Sequence, residues 1–178
     1  DITLLHGVTS SGKTEVYMKP IEDTLAEGKQ VLYMLPEIAL TTQITTRLGR
    51  VFGDKMGVYH SKFPDAERVE LWRRQLTNKA FPLILGVRSS LFLPFQNLGL
   101  IIVDEEHDNS YKQDSPAPYY NGRDTALMLS VIHKCNIILG SATPSLEERY
   151  NCLTGKHFLV ELRERYFGAS NSEIEIID

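Results

Sequence analysis

Two clusters in the chain have residue types and spacings able to do chemistry. The first is Gly7-Val8-Thr9-Ser10-Ser11-Gly12-Lys13-Thr14, which fits G-x-x-x-x-G-K-[ST] at every defined position. Glycines let a backbone curl until successive N–H groups point inward at phosphate oxygens. A helix N-terminus behind the loop adds unpaired donors and a dipole that favours an anion. In that arrangement Lys13 sets its ammonium against the β- and γ-phosphates, and Thr14 offers a hydroxyl to Mg²⁺. A flexible Gly/Ser turn ahead of an amphipathic helix is the plainer alternative, but the loop follows an apolar run and opens a helix, as a phosphate loop should. The second cluster is Leu100-Ile101-Ile102-Val103-Asp104-Glu105-Glu106-His107, an apolar run ending in acids. Taken alone such acids often form a solvated turn. Paired with a phosphate loop, Asp104 is placed to hold Mg²⁺ through a water, and Glu105 to orient and deprotonate an attacking water.

These groups meet only if the elements carrying them are neighbours. Short apolar runs at Ile2–Leu5, Val31–Leu35, Gly57–His60, Leu83–Gly86, Leu100–Asp104, Ile137–Gly140 and Phe158–Leu162 alternate with longer helical patterns. That alternation predicts an α/β domain of three layers, with a mainly parallel central sheet between helices. In open sheets of this kind ligands gather at the carboxyl ends of the strands, where both clusters would lie. Helices are expected from Lys13 to near Gly28, kinked at Pro20, and from about Ile38 to Phe52. A third, after Pro64, places Val69, Trp72 and Leu76 on one face; a fourth follows Gly122-Arg123-Asp124. A fifth opens on Ser145-Leu146-Glu147-Glu148, a capping-box pattern. The main irregular segment runs from His107 to about Asn121, a length usually functional or mobile. The organisation expected is one lobe over 1–165, with 166–178 as the start of a linker.

Composition narrows the classes. The chain has 178 residues, 42% hydrophobic and 24% charged, which suits one soluble domain with a sizeable core. Its formal net charge of −4 argues against a dedicated DNA clamp, though not against local contacts to a strand. Cys135 and Cys152 have neither CxxC spacing nor histidine pairs nearby, so no zinc site is expected. Buried thiols in a reducing cytoplasm are the plain reading. No apolar run approaches the roughly 20 residues of a membrane span, and the N-terminus has no basic region or cleavage site. A cytoplasmic location is the expectation.

Val103-Asp104-Glu105-Glu106-His107 together with Gly140-Ser141-Ala142-Thr143-Pro144 resembles motifs II and III of superfamily 2 helicases, with the phosphate loop as motif I. Within that superfamily the chain resembles the primosomal DNA helicases. The match is carried by Lys13-Thr14-Glu15-Val16-Tyr17, Leu35–Thr41, Gly86-Val87-Arg88-Ser89-Ser90, Leu98–Asp108, Ser110-Tyr111-Lys112-Gln113 and Ile137–Ser145, in the family's order along nearly the whole chain. Two departures are visible: Ser10 stands where the family usually has glycine, and Val87 where it usually has threonine.

The resemblance implies a RecA-like first motor lobe of a bacterial replication-restart helicase that moves 3′ to 5′ on DNA with ATP and Mg²⁺. It implies ATP contacts by Gly7, Thr9, Ser10, Ser11, Gly12, Lys13 and Thr14. His107, Ser141 and Thr143 would couple the nucleotide site to DNA. Leu35–Thr41 and Gly86–Ser90 correspond to motifs Ia and Ib, so Thr41, Arg88 and Ser89 are expected on strand phosphates. Tyr111, Lys112 and Arg123 belong to an aromatic and cationic loop that either stacks on bases or packs down onto the lobe. The implied partners are DNA, a second helicase lobe supplying an arginine worth about 10³–10⁵ in rate, and primosome proteins. Alone, the chain is expected to be an incomplete ATPase. The competing readings are another superfamily 2 translocase, or a non-motor ATP-binding switch or docking module.

Overall fold

The computed structural model describes residues 1–8 and 11–163. Thr9, Ser10 and the linker expected over 166–178 lie outside them. The elements run β1 (Ile2–Gly7), α1 (Lys13–Ala26), β2 (Gln30–Met34), α2 (Thr42–Phe52), β3 (Met56–Tyr59), α3 (Asp65–Gln75), β4 (Leu83–Gly86) and β5 (Leu98–Val103). Then follow β6 (Lys112–Gln113), β7 (Tyr120–Asn121), α4 (Gly122–His133), β8 (Asn136–Ser141), α5 (Leu146–Leu153) and β9 (Phe158–Leu162).

Seven strands form one parallel sheet in the order β3-β4-β2-β5-β8-β1-β9. Every residue of β2 is buried, as its apolar run requires when helices cover both faces. Tyr17 and Ile21 of α1 and Leu48 and Phe52 of α2 pack with Leu5, Tyr33 and Ile102 on one face. Leu71 of α3, Ala126 of α4 and Cys152 of α5 pack with Leu4, Leu32 and Ile101 on the other. Each fully buried Leu or Ile here contributes about 1.5–3 kcal/mol relative to exposure. The strand order matters most for function. It sets β8 between β1 and β5, so the phosphate loop, motif III and the acids leave the carboxyl ends of three adjacent interior strands.

Some local expectations are corrected. Helix α2 starts at Thr42 rather than near Ile38, because Pro36 closes a turn instead: its carbonyl accepts from the N–H groups of Ala39 and Leu40. Val69, Trp72 and Leu76 do share a side of α3, but it faces solvent, at 47%, 43% and 50% exposure. The helix docks through Leu71 and the buried Gln75, whose amide holds Phe81 N–H at 2.7 Å. A glutamine anchor is invisible to a hydrophobic pattern. The segment from His107 to Asn121 is partly structured, with a 3₁₀ turn at Asn109–Tyr111 and a short β6–β7 ladder.

Ser145 caps α5 as expected, but only half of the capping box forms. Ser145 Oγ accepts from Glu148 N–H, while the Glu148 carboxylate turns to His157 Nδ1 at 2.7 Å. Cys135 is buried, and burial pushes its thiol up to about 11, which leaves it inert as a nucleophile. Among the described residues no helix is long and apolar enough to cross a membrane.

Candidate nucleotide-binding site

The phosphate loop leaves β1 at Gly7 and enters α1 through Gly12, whose φ of 83° lies in the left-handed region that favours glycine. Gly7 is needed for close approach: a Cβ there would lie 2.5 Å from Ser11 Oγ and 3.2 Å from Lys13 Cγ. Helix α1 begins at Lys13 with no side-chain cap, and the first N–H groups of a helix have no intrahelical partner. Ser11 Oγ is also buried with no hydrogen-bond partner among the described residues. Buried donors left open in this way suit an anion.

Lys13 is 8% exposed, and its Nζ reaches Gly7 O at 3.0 Å and Glu105 Oε1 at 3.3 Å. The acids therefore stand directly across from the loop. Glu105 has φ +48°, an uncommon geometry for a side-chain-bearing residue, at a sharp turn ending β5. Asp104 is buried; its Oδ1 accepts from Tyr17 Oη at 2.9 Å and Glu105 N at 3.1 Å, and its Oδ2 from Tyr33 Oη at 3.2 Å. Tyr111 Oη donates to the Asp104 carbonyl at 2.7 Å. Burial first, and then the neighbouring Glu105 charge, hold the Asp104 carboxyl above its usual range against the Tyr17 hydrogen bond and Lys13. A cation beside it would act in the same direction as Lys13. All three phenols are raised well above their ordinary value, chiefly by burial, so they remain donors.

Thr14 is half-buried in the first turn of α1, next to Lys13. Hydroxyl and carboxylate oxygens are the hard ligands Mg²⁺ prefers, usually alongside water and substrate phosphates. Among the described residues no three His, Cys, Asp or Glu side chains converge as a self-sufficient metal cluster. One hydroxyl and one carboxylate would leave the rest of a Mg²⁺ shell to water and substrate phosphates.

A second network runs from the acids to β8. His107 Nδ1 lies 2.6 Å from Ser141 Oγ and 3.8 Å from Glu105 Oε2, and Ser141 Oγ also accepts from Thr143 N–H at 3.1 Å. Beneath it, the buried Glu106 accepts from Ser145 N–H at 2.8 Å and from Arg123 at 3.2 Å.

A family model described as DEAD/DEAH box helicase matches residues 2–151. The chain belongs to the DEAD/DEAH box helicase family. It is similar to the replication restart protein PriA of Rickettsia felis, at 51% identity over 99% of this chain and 27% of that protein. Identity to the protein of that name from Bacillus subtilis (strain 168) is 41%, over 99% of this chain and 22% of that protein. The chain thus spans about a quarter of the length of these curated relatives. RecG bound to a three-way DNA junction matches in fold, with a TM-score of 0.63 and 20% identity over 94% of this chain and 21% of that one. The helicase domain of Pyrococcus furiosus Hef does so with a TM-score of 0.54 and 16% identity, over 89% of this chain and 34% of that one.

In this DEAD/DEAH box lobe, two residues of the loop after motif II pack down onto the lobe, one of the two alternatives open to them. Tyr111 is 1% exposed, so its ring face belongs to the core and its hydroxyl to Asp104. The Arg123 side chain is 16% exposed and pairs with Glu106 and Asp124, tying the start of α4 beneath motif II. Arg88 is partly committed: one terminal nitrogen donates to the carbonyls of Ser110 at 2.7 Å and Lys112 at 2.8 Å. Ser89 Oγ is buried with no partner among the described residues. Thr41 and Lys112 are exposed, with Lys112 Nζ 3.2 Å from Asp114 Oδ1.

Sequence reasoning assigned no role to Tyr17, Tyr33, Gly140 and Glu106, although it quoted three of them within motifs. A signal existed for two of them. Tyr17 sits one turn beyond Lys13, on the same side of α1. Tyr33 interrupts a fully buried run, and a buried tyrosine hydroxyl needs a partner. Gly140 gave no local sign: a Cβ there would overlap the Tyr17 hydroxyl and lie 3.1 Å from Asp104 Oδ1, a clash made by two other elements.

Proposed function

We propose that this lobe binds Mg²⁺-ATP between the Lys13 loop and the Asp104–Glu105 turn, as the first motor lobe of a 3′-to-5′ DNA helicase acting in bacterial replication restart. The observation that carries the reading is the 3.3 Å contact between Lys13 Nζ and Glu105 Oε1 across the ends of β1 and β5. An ammonium has three donors; Gly7 O and Glu105 take two of them, which leaves the third for a phosphate oxygen. The Glu105 carboxylate then stands beside that phosphate to take a proton from water. Thr14 and Asp104 are the side chains for Mg²⁺, which supplies charge neutralisation at the β- and γ-phosphates. Likeness to proteins named for replication restart supports the cellular role, in the cytoplasm, with a second lobe and primosome proteins as partners.

DNA is placed along the motif Ia and Ib turns after β2 and β4. There Thr41, Lys112 and the remaining N–H groups of Arg88 can meet phosphates without reading sequence. His107 then passes the effect to β8 through Ser141. In the whole protein, His107→Ala is expected to bind ATP but to lose about fivefold or more of the stimulation of hydrolysis by single-stranded DNA. Steady-state ATPase with and without DNA reads this out. Equal stimulation in both proteins removes His107 from coupling, and no stimulation of the unmutated protein removes the motor reading.

A further inference from the structure

Three elements converge on one carboxylate. Tyr17 comes from α1, Tyr33 from β2 and Glu105 N–H from the turn after β5, and together they supply three hydrogen bonds to Asp104. An ionised carboxylate has about four acceptor sites, two on each oxygen. Oδ1 accepts twice, from Tyr17 and Glu105 N–H, and Oδ2 accepts once, from Tyr33. One site remains, on Oδ2. We propose that Tyr17 and Tyr33 are positioning residues for the cation of the nucleotide site, holding Asp104 so that this one site accepts from a Mg²⁺-bound water. The inference rests on the nucleotide reading above and adds to it two residues and the oxygen through which Asp104 acts.

The surroundings support a positioning role. Both phenols are fully buried, so neither hydroxyl can exchange Asp104 for bulk water. Rotating the carboxylate would leave them without an acceptor. Tyr17 reaches Asp104 across β8 only because residue 140 is glycine. The rings meet edge to face, with centroids 5.4 Å apart, so each also limits the other's movement.

The test is the metal-dependent part of ADP affinity, taken as the ratio of dissociation constants in EDTA and in saturating Mg²⁺. Partners behind a metal ligand commonly matter about 10- to 100-fold to metal affinity, so Tyr17→Phe and Tyr33→Phe should each lower that ratio about 10-fold. Adding Tyr17→Phe to Asp104→Asn should lower it no further, because Tyr17 acts through Asp104. Tyr33→Phe carries the test alone should Tyr17→Phe fail to fold, as judged by thermal unfolding. Ratios equal to that of the unmutated protein would overturn the proposal while leaving the nucleotide reading intact. An unmutated protein whose ADP affinity ignores Mg²⁺ would overturn both.

Discussion

Glu105→Gln in the whole protein is expected to keep Mg²⁺-nucleotide binding and to lose about 10²–10⁴-fold of its turnover, the usual contribution of a general base. Glu105 lies 3.3 Å from Lys13 and beside His107, on the strand end next to β8. Glutamine has nearly the same shape and keeps an oxygen for Lys13, but it cannot take a proton from water. The electrostatic effect on Asp104 points the other way. The Glu105 charge is one of the two causes holding Asp104 above its usual range, and removing it eases Asp104 towards its ionised form. Metal-linked binding is therefore preserved or strengthened while the chemical step fails. Single-turnover hydrolysis alongside equilibrium ADP binding separates the two. Turnover close to normal would dismiss Glu105 as the base, and loss of binding instead would make it a ligand.

Gly140→Ala is expected to destabilise the lobe by about 1–3 kcal/mol or more, the range for adding volume to a packed interior. The added methyl would overlap the Tyr17 hydroxyl and crowd Tyr17 Cζ and Asp104 Oδ1, at 3.0 and 3.1 Å. Residue 140 lies on β8, which is flanked by β5 and β1, so backbone relief is limited on both sides. Urea denaturation should show a lower midpoint with an unchanged slope. Replacing Tyr17 by Phe in the same chain removes the atom struck first. The pair should therefore be less destabilised than the sum of the single changes, by about 0.5–3 kcal/mol. Strict additivity would show that the clash lies elsewhere.

Both predictions depend on residues that differ in how visible they are. Lys13 and Glu105 are legible because their roles need a fixed local arrangement: a glycine-rich turn into a helix, and acids at the end of an apolar run. Gly140 and Tyr17 are not, because their meaning comes from a contact between α1 and β8, 123 positions apart along the chain. Arg88, Tyr111 and Arg123 show the same limit from the other side. Their types suit a nucleic-acid face, yet in the fold Tyr111 and Arg123 are internal ties, and Arg88 braces the loop after motif II. Whether a cation meets water or a neighbour's carbonyl depends on which elements pack beside it.

All seven strands of the main sheet, the helix that follows the phosphate loop and the cap at Ser145 could be read directly from the chain. Each arises from interactions within a few residues: apolar runs, a left-handed glycine, a hydroxyl three residues from an amide. Folding added what no short window contains. It chose the strand order that sets β8 between the loop and the acids, turned Val69 and Trp72 outward while drawing Gln75 in, and gathered three tyrosines around Asp104. Those outcomes follow from burying the most apolar surface with every buried polar group partnered, a condition on the whole molecule rather than on any segment of it.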